Sequence, residues 1–261
     1  MSRDTWNPAV YARYAGERSR PFFDLTARIH ATDPHYVVDL GCGSGELTAE
    51  LARRWPSATV HGIDSSPAMI GRSQGMSRVR GDASLVFEIA DVRAWHPAAP
   101  VDVIVSNAVL HWLPEHRDLL PRWIDALNPG GWLAVQMPGN FDAPSHALIR
   151  ELCRTTWRDE LGDLAPGTPV GPPEEYVELL AGLGCRVDAW ETTYVHMLQG
   201  QDAVFAWVSG TTLRPMLDRL PAGRHPEFVA DCRRLLGAAY PAKPYGTPFA
   251  FRRVFAVAQR V

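Results

Sequence analysis

Residues 37 to 45 read Val37-Val38-Asp39-Leu40-Gly41-Cys42-Gly43-Ser44-Gly45, an apolar run holding one acid and then glycine at every second position. The run suits a buried strand, and the glycines let the backbone turn sharply and approach a ligand with no Cβ between them. Leu47 to Trp55 follows as a helix-like stretch, so the segment reads strand, turn, helix. Such a turn at the carboxyl end of a first strand is where doubly wound sheets take nucleotides, because the crevice opens where strand order reverses.

On either side of this segment the chain keeps the same alternation. Short apolar runs at Thr59 to Asp64, Leu85 to Ala90, Val101 to Ser106 and Trp132 to Met137 read as further strands. Helix-like stretches at Ser66 to Ser73 and Leu119 to Leu127 lie between them, which is the pattern of a parallel sheet with helices on both faces. Asn128-Pro129-Gly130-Gly131 reads as a break that stops a helix before the chain re-enters the sheet. Beyond Gly139, a helix is expected around His146 to Asp159, then a Pro/Gly-rich loop at Ala165 to Pro173 and a helix from Glu174 to Leu183. Cys185 to Met197 and Phe249 to Val261 read as an antiparallel far edge of the same sheet, separated by a largely helical insertion. The expected fold is therefore α/β, a doubly wound and mostly parallel sheet in a single domain over 1–261. An N-terminal helical cap is expected over 1–30, a cofactor-binding core over 36–140 and a helical lid over 198–245.

Composition narrows the partners. A chain of 261 residues, 46% of them hydrophobic, buries one sizeable core, and a formal net charge of −3 supplies no field that would draw it onto nucleic acid or an anionic membrane. Cys42, Cys153, Cys185 and Cys232 lack CxxC spacing, which argues against a zinc site or a disulfide framework and fits a reducing cytoplasm. No run approaches the ~20 apolar residues of a membrane span. Lys243 is the only lysine, so the abundance of arginine reflects composition and singles out no arginine by type.

The glycine spacing separates two ligand classes. A dinucleotide turn reads G-x-G-x-x-G and meets a pyrophosphate, but here the sixth position is Glu46, which would set an anion beside an anion. Asp64 closes the second strand where an acid would accept two ribose hydroxyls. The G-x-G-x-G turn with Asp39 two residues ahead resembles the first motif of the class I S-adenosylmethionine-dependent methyltransferases, whose sheet is Rossmann-like. The resemblance implies that Gly41, Gly43 and Gly45 pack against the thioether and ribose of S-adenosylmethionine, and that Asp39 serves its amino group. Asp64 would then hold the ribose, with Ser65 and Met69 lining the walls, and Asp91 with the backbone of Val92 would read the adenine. Asn107 and the segment through His111, Trp112 and Pro114 would lie beside the methionine tail and the methyl group. A histidine at a strand end also finds backbone carbonyls readily, so His111 is expected to position first and act as a base second.

The N-terminal segment, Trp6 to Pro21, carries more aromatic and basic groups than a solubilising tail needs, and a cap over the pocket would explain them. With Trp6-Asn7-Pro8, Glu17-Arg18-Ser19-Arg20-Pro21, Gly62-Ile63-Asp64-Ser65-Ser66-Pro67-Ala68-Met69-Ile70, Ala134-Val135-Gln136-Met137-Pro138 and Gly210 to Pro215, the whole chain resembles the trans-aconitate 2-methyltransferase family. That resemblance implies esterification of a small-molecule tricarboxylate with Tyr14 and His111 at the reacting centre. A carboxylate is already ionised at neutral pH, so no general base is required. Recognition of a trianion calls for several donors, for which Arg18, Arg20, Arg214 and Arg253 are the candidates, with Trp112, Tyr194, His196 and Trp207 shaping the pocket. The residues leave open another small carboxylic acid, or a nitrogen or carbon acceptor that would need a base such as His111. A binding module without catalysis would keep the same fold.

Overall fold

The structure, a computed structural model, describes residues 15–73, 75, 84–164 and 169–261. The chain falls into two compact units. One takes Arg18–Met137, Pro169–Glu191 and Val254–Val261, and the other gathers, among the described residues, 15–17, 138–164 and 192–253.

The first unit begins within helix α1 (Ala15–Thr26), at Arg18, followed by β1 (Tyr36–Leu40), α2 (Glu46–Arg54), β2 (Thr59–Asp64), α3 (Pro67–Ser73) and β3 (Ser84–Ile89). The chain then crosses back through β4 (Val101–Asn107), a 3₁₀ turn at Leu110–Trp112, α4 (His116–Asp125) and β5 (Leu127–Pro138). Later in sequence come α7 (Pro173–Gly182) and two strands, β6 (Cys185–Leu198) and β7 (Thr247–Arg260), of which residues 185–191 and 254–260 belong to this unit and the rest to the other. The strands form a seven-stranded sheet in the order β3-β2-β1-β4-β5-β7-β6, mostly parallel with an antiparallel edge. The order reverses between β1 and β4, so the crevice expected from the sequence opens at the carboxyl ends of those two strands.

Burial explains why β1 and β4 lie at the centre. Val37, Val38, Leu40, Val101, Val103, Ile104 and Val105 are all inaccessible to solvent, as strands covered on both faces must be. Helix α1 buries Phe22 and Leu25, each worth about 1.5–3 kcal/mol once removed from water. Its C-terminal turn is held by Arg54 of α2, whose guanidinium donates to the carbonyls of Thr26 and Ile29. The first of these is the last carbonyl of the helix, which otherwise accepts only from Ile29 N–H (3.0 Å), and the second belongs to the turn that leaves it. This much of the expected N-terminal cap is therefore part of the first unit's core. Residues 1–14, including Tyr14, lie outside the described residues, as does the side chain of Arg18.

Two expectations are corrected. Asn128-Pro129-Gly130-Gly131 is not a loop ahead of the strand but a bulge within β5: Val101 pairs with Leu127, while Val103 pairs with Trp132. Gly130 takes the left-handed conformation the bulge needs (φ +79°), and its carbonyl accepts from Gln259 Nε2 at 3.1 Å. Asn128 donates to Asp102 Oδ1 at 2.6 Å, and Arg260 binds the carbonyls of Ile124, Asp125 and Leu127, so residues remote in sequence hold the bulge. The helix expected over His146 to Asp159 stops at Arg154, and only a short turn, α6 (Arg158–Leu161), follows it.

In the second unit α5 (Pro144–Arg154) and α6 pack with α8 (Ala203–Ser209), α9 (Arg214–Arg219) and α10 (His225–Ala239) around a core of their own. Trp157 lies edge-on to Phe228, with ring centroids 5.3 Å apart, and its Nε1 donates to Asp231 at 3.1 Å. A buried polar chain crosses the same unit. Asn140 Nδ2 donates to Ser145 Oγ (3.1 Å), which meets His146 Nδ1 (3.0 Å), while His146 Nε2 meets Thr212 Oγ1 (3.2 Å). Among the described residues no helix is long and apolar enough to cross a membrane, and all four cysteines are free and buried.

Candidate active site

Strand register decides which side chains can share a site. Asp39 is opposite Gly62 on β2 and Val105 on β4, and Val105 is opposite Ala134 on β5. Side chains alternate along a strand, so two residues further on Asp64, Asn107 and Gln136 project from the face of the sheet that Asp39 occupies. That face therefore presents carboxylates and amides in a row along the carboxyl edge.

The turn between β1 and α2 needs its glycines. Gly41, Gly43 and Gly45 have φ of +83°, +56° and +87°, the left-handed region that costs other residues about 1–2 kcal/mol. A Cβ on Gly41 would overlap Val109 Cγ2, and one on Gly45 would sit 2.7 Å from Phe87 Cζ. At Gly43 a Cβ would meet nothing within 4 Å, so there bare backbone faces open space. The conformation is fixed by Asp64, whose Oδ2 accepts from Gly43 N–H at 3.0 Å and whose Oδ1 accepts from Ser66 N–H at 2.8 Å. A carboxylate has about four acceptor sites, so two remain after these bonds. Ser66 Oγ in turn accepts from Met69 N–H (3.3 Å), capping α3; Met69 is buried and Ser65 exposed.

Two of the acids have partners that the sequence did not announce. Asp39 is 4% exposed and accepts from Thr48 Oγ1 at 2.7 Å. Burial, reinforced by the charge of Asp64, pushes its carboxyl up to about 6 even though the Thr48 bond pulls the other way. Asp91 is gripped by Arg93 through both carboxylate oxygens, at 2.6 to 3.0 Å, and that hydrogen bond holds its carboxyl below the usual range. An adenine amino group would have to compete with this guanidinium. Val92 beside it is buried.

Beyond β4 the chain changes direction at Ala108, which has φ +59°, and Ala108 N–H donates to Gln136 O at 2.9 Å. A non-glycine residue in this region is uncommon and is kept there by its surroundings. The turn leads into Leu110–Trp112, where the His111 and Trp112 rings lie 4.7 Å apart and Trp112 is 42% exposed. Asn107 Oδ1 is buried and has no hydrogen-bond partner. Gln136 is 1% exposed, and neither end of its amide has a partner. The available signal for it was a lone polar residue inside the apolar run Leu133 to Met137.

The second unit brings four of the expected acceptor-side residues together. Tyr194 stacks on His196 (6.3 Å between centroids), His196 on Trp207 (4.9 Å), and Trp207 lies 5.7 Å from Phe251. Over Phe251 sits the guanidinium of Arg253, at 4.6 Å, on a residue only 5% exposed. Arg214 opens α9 with a buried Nε that has no partner. Arg20 is exposed on α1.

A trans-aconitate 2-methyltransferase of Streptomyces coelicolor is 54% identical over 98% of this chain and 87% of its own length. Its namesake in Streptomyces avermitilis is 50% identical over 98% and 97%, and that of Rhodococcus jostii 48% identical over 97% and 99%. The chain belongs to the trans-aconitate 2-methyltransferase family. A family described as methyltransferase domain also matches residues 14–189, which reach from α1 into β6. Among solved structures, the putative methyltransferase in complex with the Haloferax volcanii Trm112 activator has a TM-score of 0.58 at 17% identity, covering 99% of this chain and 97% of that one. The plantazolicin methyltransferase BpumL in complex with SAH has a TM-score of 0.51 at 13% identity, covering 97% and 90%. At such identities these two likenesses show the fold alone. The members of the trans-aconitate 2-methyltransferase family thus share nearly the full length of this chain, both units included.

Proposed function

We infer that this protein transfers a methyl group from S-adenosylmethionine to one carboxylate of trans-aconitate, forming a monomethyl ester. The observation that carries the reading is the 48–54% identity to proteins of that name over nearly the whole chain. The residues present fit the cofactor. Bare backbone at Gly43 suits an uncharged thioether and ribose, Asp64 keeps free acceptor sites for ribose hydroxyls, and Asn107 Oδ1 is a buried acceptor of the kind an ammonium group satisfies. When bound, S-adenosylmethionine supplies the methyl group: a carboxylate lone pair forms the O–C bond as the C–S bonding electrons return to sulfur, and no proton moves.

The chain has to orient the acceptor, exclude water and neutralise a trianion. Unpaired burial of three carboxylates would cost many kcal/mol, and Arg253, which is buried, and Arg214, whose Nε is buried, are cations suited to two of them. Arg18 and Arg20 on α1 remain candidates for the third. Tyr194, His196 and Trp207 supply an aromatic wall, and His111 with Trp112 serves position more than proton transfer. The absence of CxxC pairs fits work in the cytoplasm on a soluble metabolite.

The test is transfer of a tritiated methyl group to a panel of di- and tricarboxylates. Strong preference for trans-aconitate, with a rate nearly flat above pH 6, is expected. A limb near the histidine pKa would instead indicate a base-dependent nitrogen or carbon acceptor, and labelling of another acid alone would displace trans-aconitate from the reading.

A further inference from the structure

At the carboxyl end of β5 the fold buries an amide that nothing in the protein satisfies. Gln136 is 1% exposed, and its neighbours Leu133, Ala134, Val135 and Met137 are wholly inaccessible apolar residues. Both Oε1 and Nε2 lack hydrogen-bond partners, although the backbone carbonyl of the same residue is bonded by Ala108. Native proteins rarely tolerate this, since an apolar side chain of similar size would remove the cost. Asn107, directly opposite across the β4–β5 pairing, has its Oδ1 in the same condition. Residues in register on neighbouring strands lie about 5 Å apart and project from one face, so the two amides stand side by side. They share that face with Asp39 and Asp64, and Asn107 lies on the strand next to the glycine turn.

We propose that Gln136 receives the carboxylate to be esterified, its Nε2 donating to the oxygen that remains a carbonyl, while Asn107 Oδ1 accepts from the ammonium group of the cofactor's methionine tail. The inference rests on the methyl-transfer reading above and adds a residue to it. The choice of an amide over an arginine follows from the charge change. The reacting carboxylate begins with a negative charge and loses it as the ester forms, so a cation paired with it would favour the starting state over the transition state. A neutral donor also weakens as the charge goes, but by far less than a cation would. Arginines then serve the two carboxylates whose charge does not change, and the neutral amide marks the one that reacts.

The experiment uses Gln136→Leu and Gln136→Glu in the full chain. For Gln136→Leu, kcat/KM for trans-aconitate should fall about 30-fold, the size of one hydrogen bond to a charged group. Affinity for S-adenosylhomocysteine by calorimetry should stay within about twofold, and the Tm of the ligand-free protein should rise because an unsatisfied buried amide has gone. In Gln136→Glu the deficit should shrink as pH falls, because a protonated carboxyl donates whereas an ionised one repels the substrate. Unchanged kcat/KM in Gln136→Leu, or a lowered Tm, overturns the proposal and leaves the function standing. Methylation of a different carboxylic acid by the wild type removes trans-aconitate, and Gln136→Leu is then judged on that acid. Methylation of nitrogen or carbon acceptors alone overturns both.

Discussion

Replacing Asp64 by asparagine should be as damaging as replacing it by alanine, although the side chain keeps its shape. The carboxylate accepts two backbone N–H groups, from Gly43 at 3.0 Å and from Ser66 at 2.8 Å. An amide has one oxygen and an NH₂, so one N–H would face another donor, and the surviving bond would lose its charge assistance. Hydrogen bonds to charged groups contribute about 1.5–3 kcal/mol each, and half-burial at this site lets water replace part of that, leaving ~1 kcal/mol per bond. Both Asp64→Asn and Asp64→Ala should therefore lose ~2 kcal/mol, a fall of about 4–8 °C in Tm. Urea unfolding followed by tryptophan fluorescence measures the first quantity, and calorimetric titration with S-adenosylmethionine measures the second consequence. Affinity should drop at least ~10-fold in both variants, because the turn loosens and a ribose acceptor is lost. If Asp64→Asn unfolds and binds like the wild type, the carboxylate is not what shapes the turn, and the assignment of the glycine segment by this bond is wrong.

Asp39→Asn should have the opposite sign. The Asp39 carboxyl is pushed up to about 6 in the fold, so its contribution is fully present below the unfolded value near 4 and is lost as pH rises through 6. Asparagine keeps an acceptor for Thr48 without that cost, so the variant should be up to ~3 kcal/mol more stable than wild type at pH 7.5 and little different at pH 4, read by urea unfolding at both pH values. His146 is depressed to about 4, first by burial and then by the charge of Arg150, so stability is present above pH 6.5 and is lost as pH falls from 6.5 towards 4. Acid titration of tryptophan fluorescence should show a loss of ~3 kcal/mol across that window, flattened in His146→Gln. Gly41→Ala should cost ~1–2 kcal/mol for its left-handed backbone plus the collision with Val109, and adding Val109→Ala should relieve only the collision, which a double-mutant cycle would register as coupling. Additive effects would contradict that contact.

What could be read in the sequence was what local chemistry decides. The glycine turn announces itself because alternate glycines have few other uses, and β1 and β2 fall where apolar runs carry an acid at or next to their ends, Asp39 before Leu40 and Asp64. Asn128 to Gly131 was misread because proline and glycine normally punctuate. Here Gln259 and Arg260 donate to the carbonyls of Gly130 and Leu127 from afar, Asp102 accepts from the Asn128 side chain, and no local pattern encodes them. The helix after Pro144 ended early for a similar reason, since Trp157 is drawn into the packing around Phe228. At the site, the acids were legible by type and spacing, whereas Thr48 and Arg93, which fix what Asp39 and Asp91 are free to do, required coordinates. Tyr194, His196, Trp207 and Arg253 were picked by chemical character, and only folding gathered them.

The bulge in β5 has a consequence for how this strand can vary. Between its two anchored pairings it spends five steps where β4 spends two, an odd excess, so the inside-outside alternation of everything downstream is set by the length of that small excursion. Loss of a single residue there, with Leu127 still held by Arg260, would act as a frameshift in space, swinging Met137 to where Gln136 now projects. Changes of length in this stretch are therefore tolerable only in pairs, whatever the chemistry of the residues added or removed.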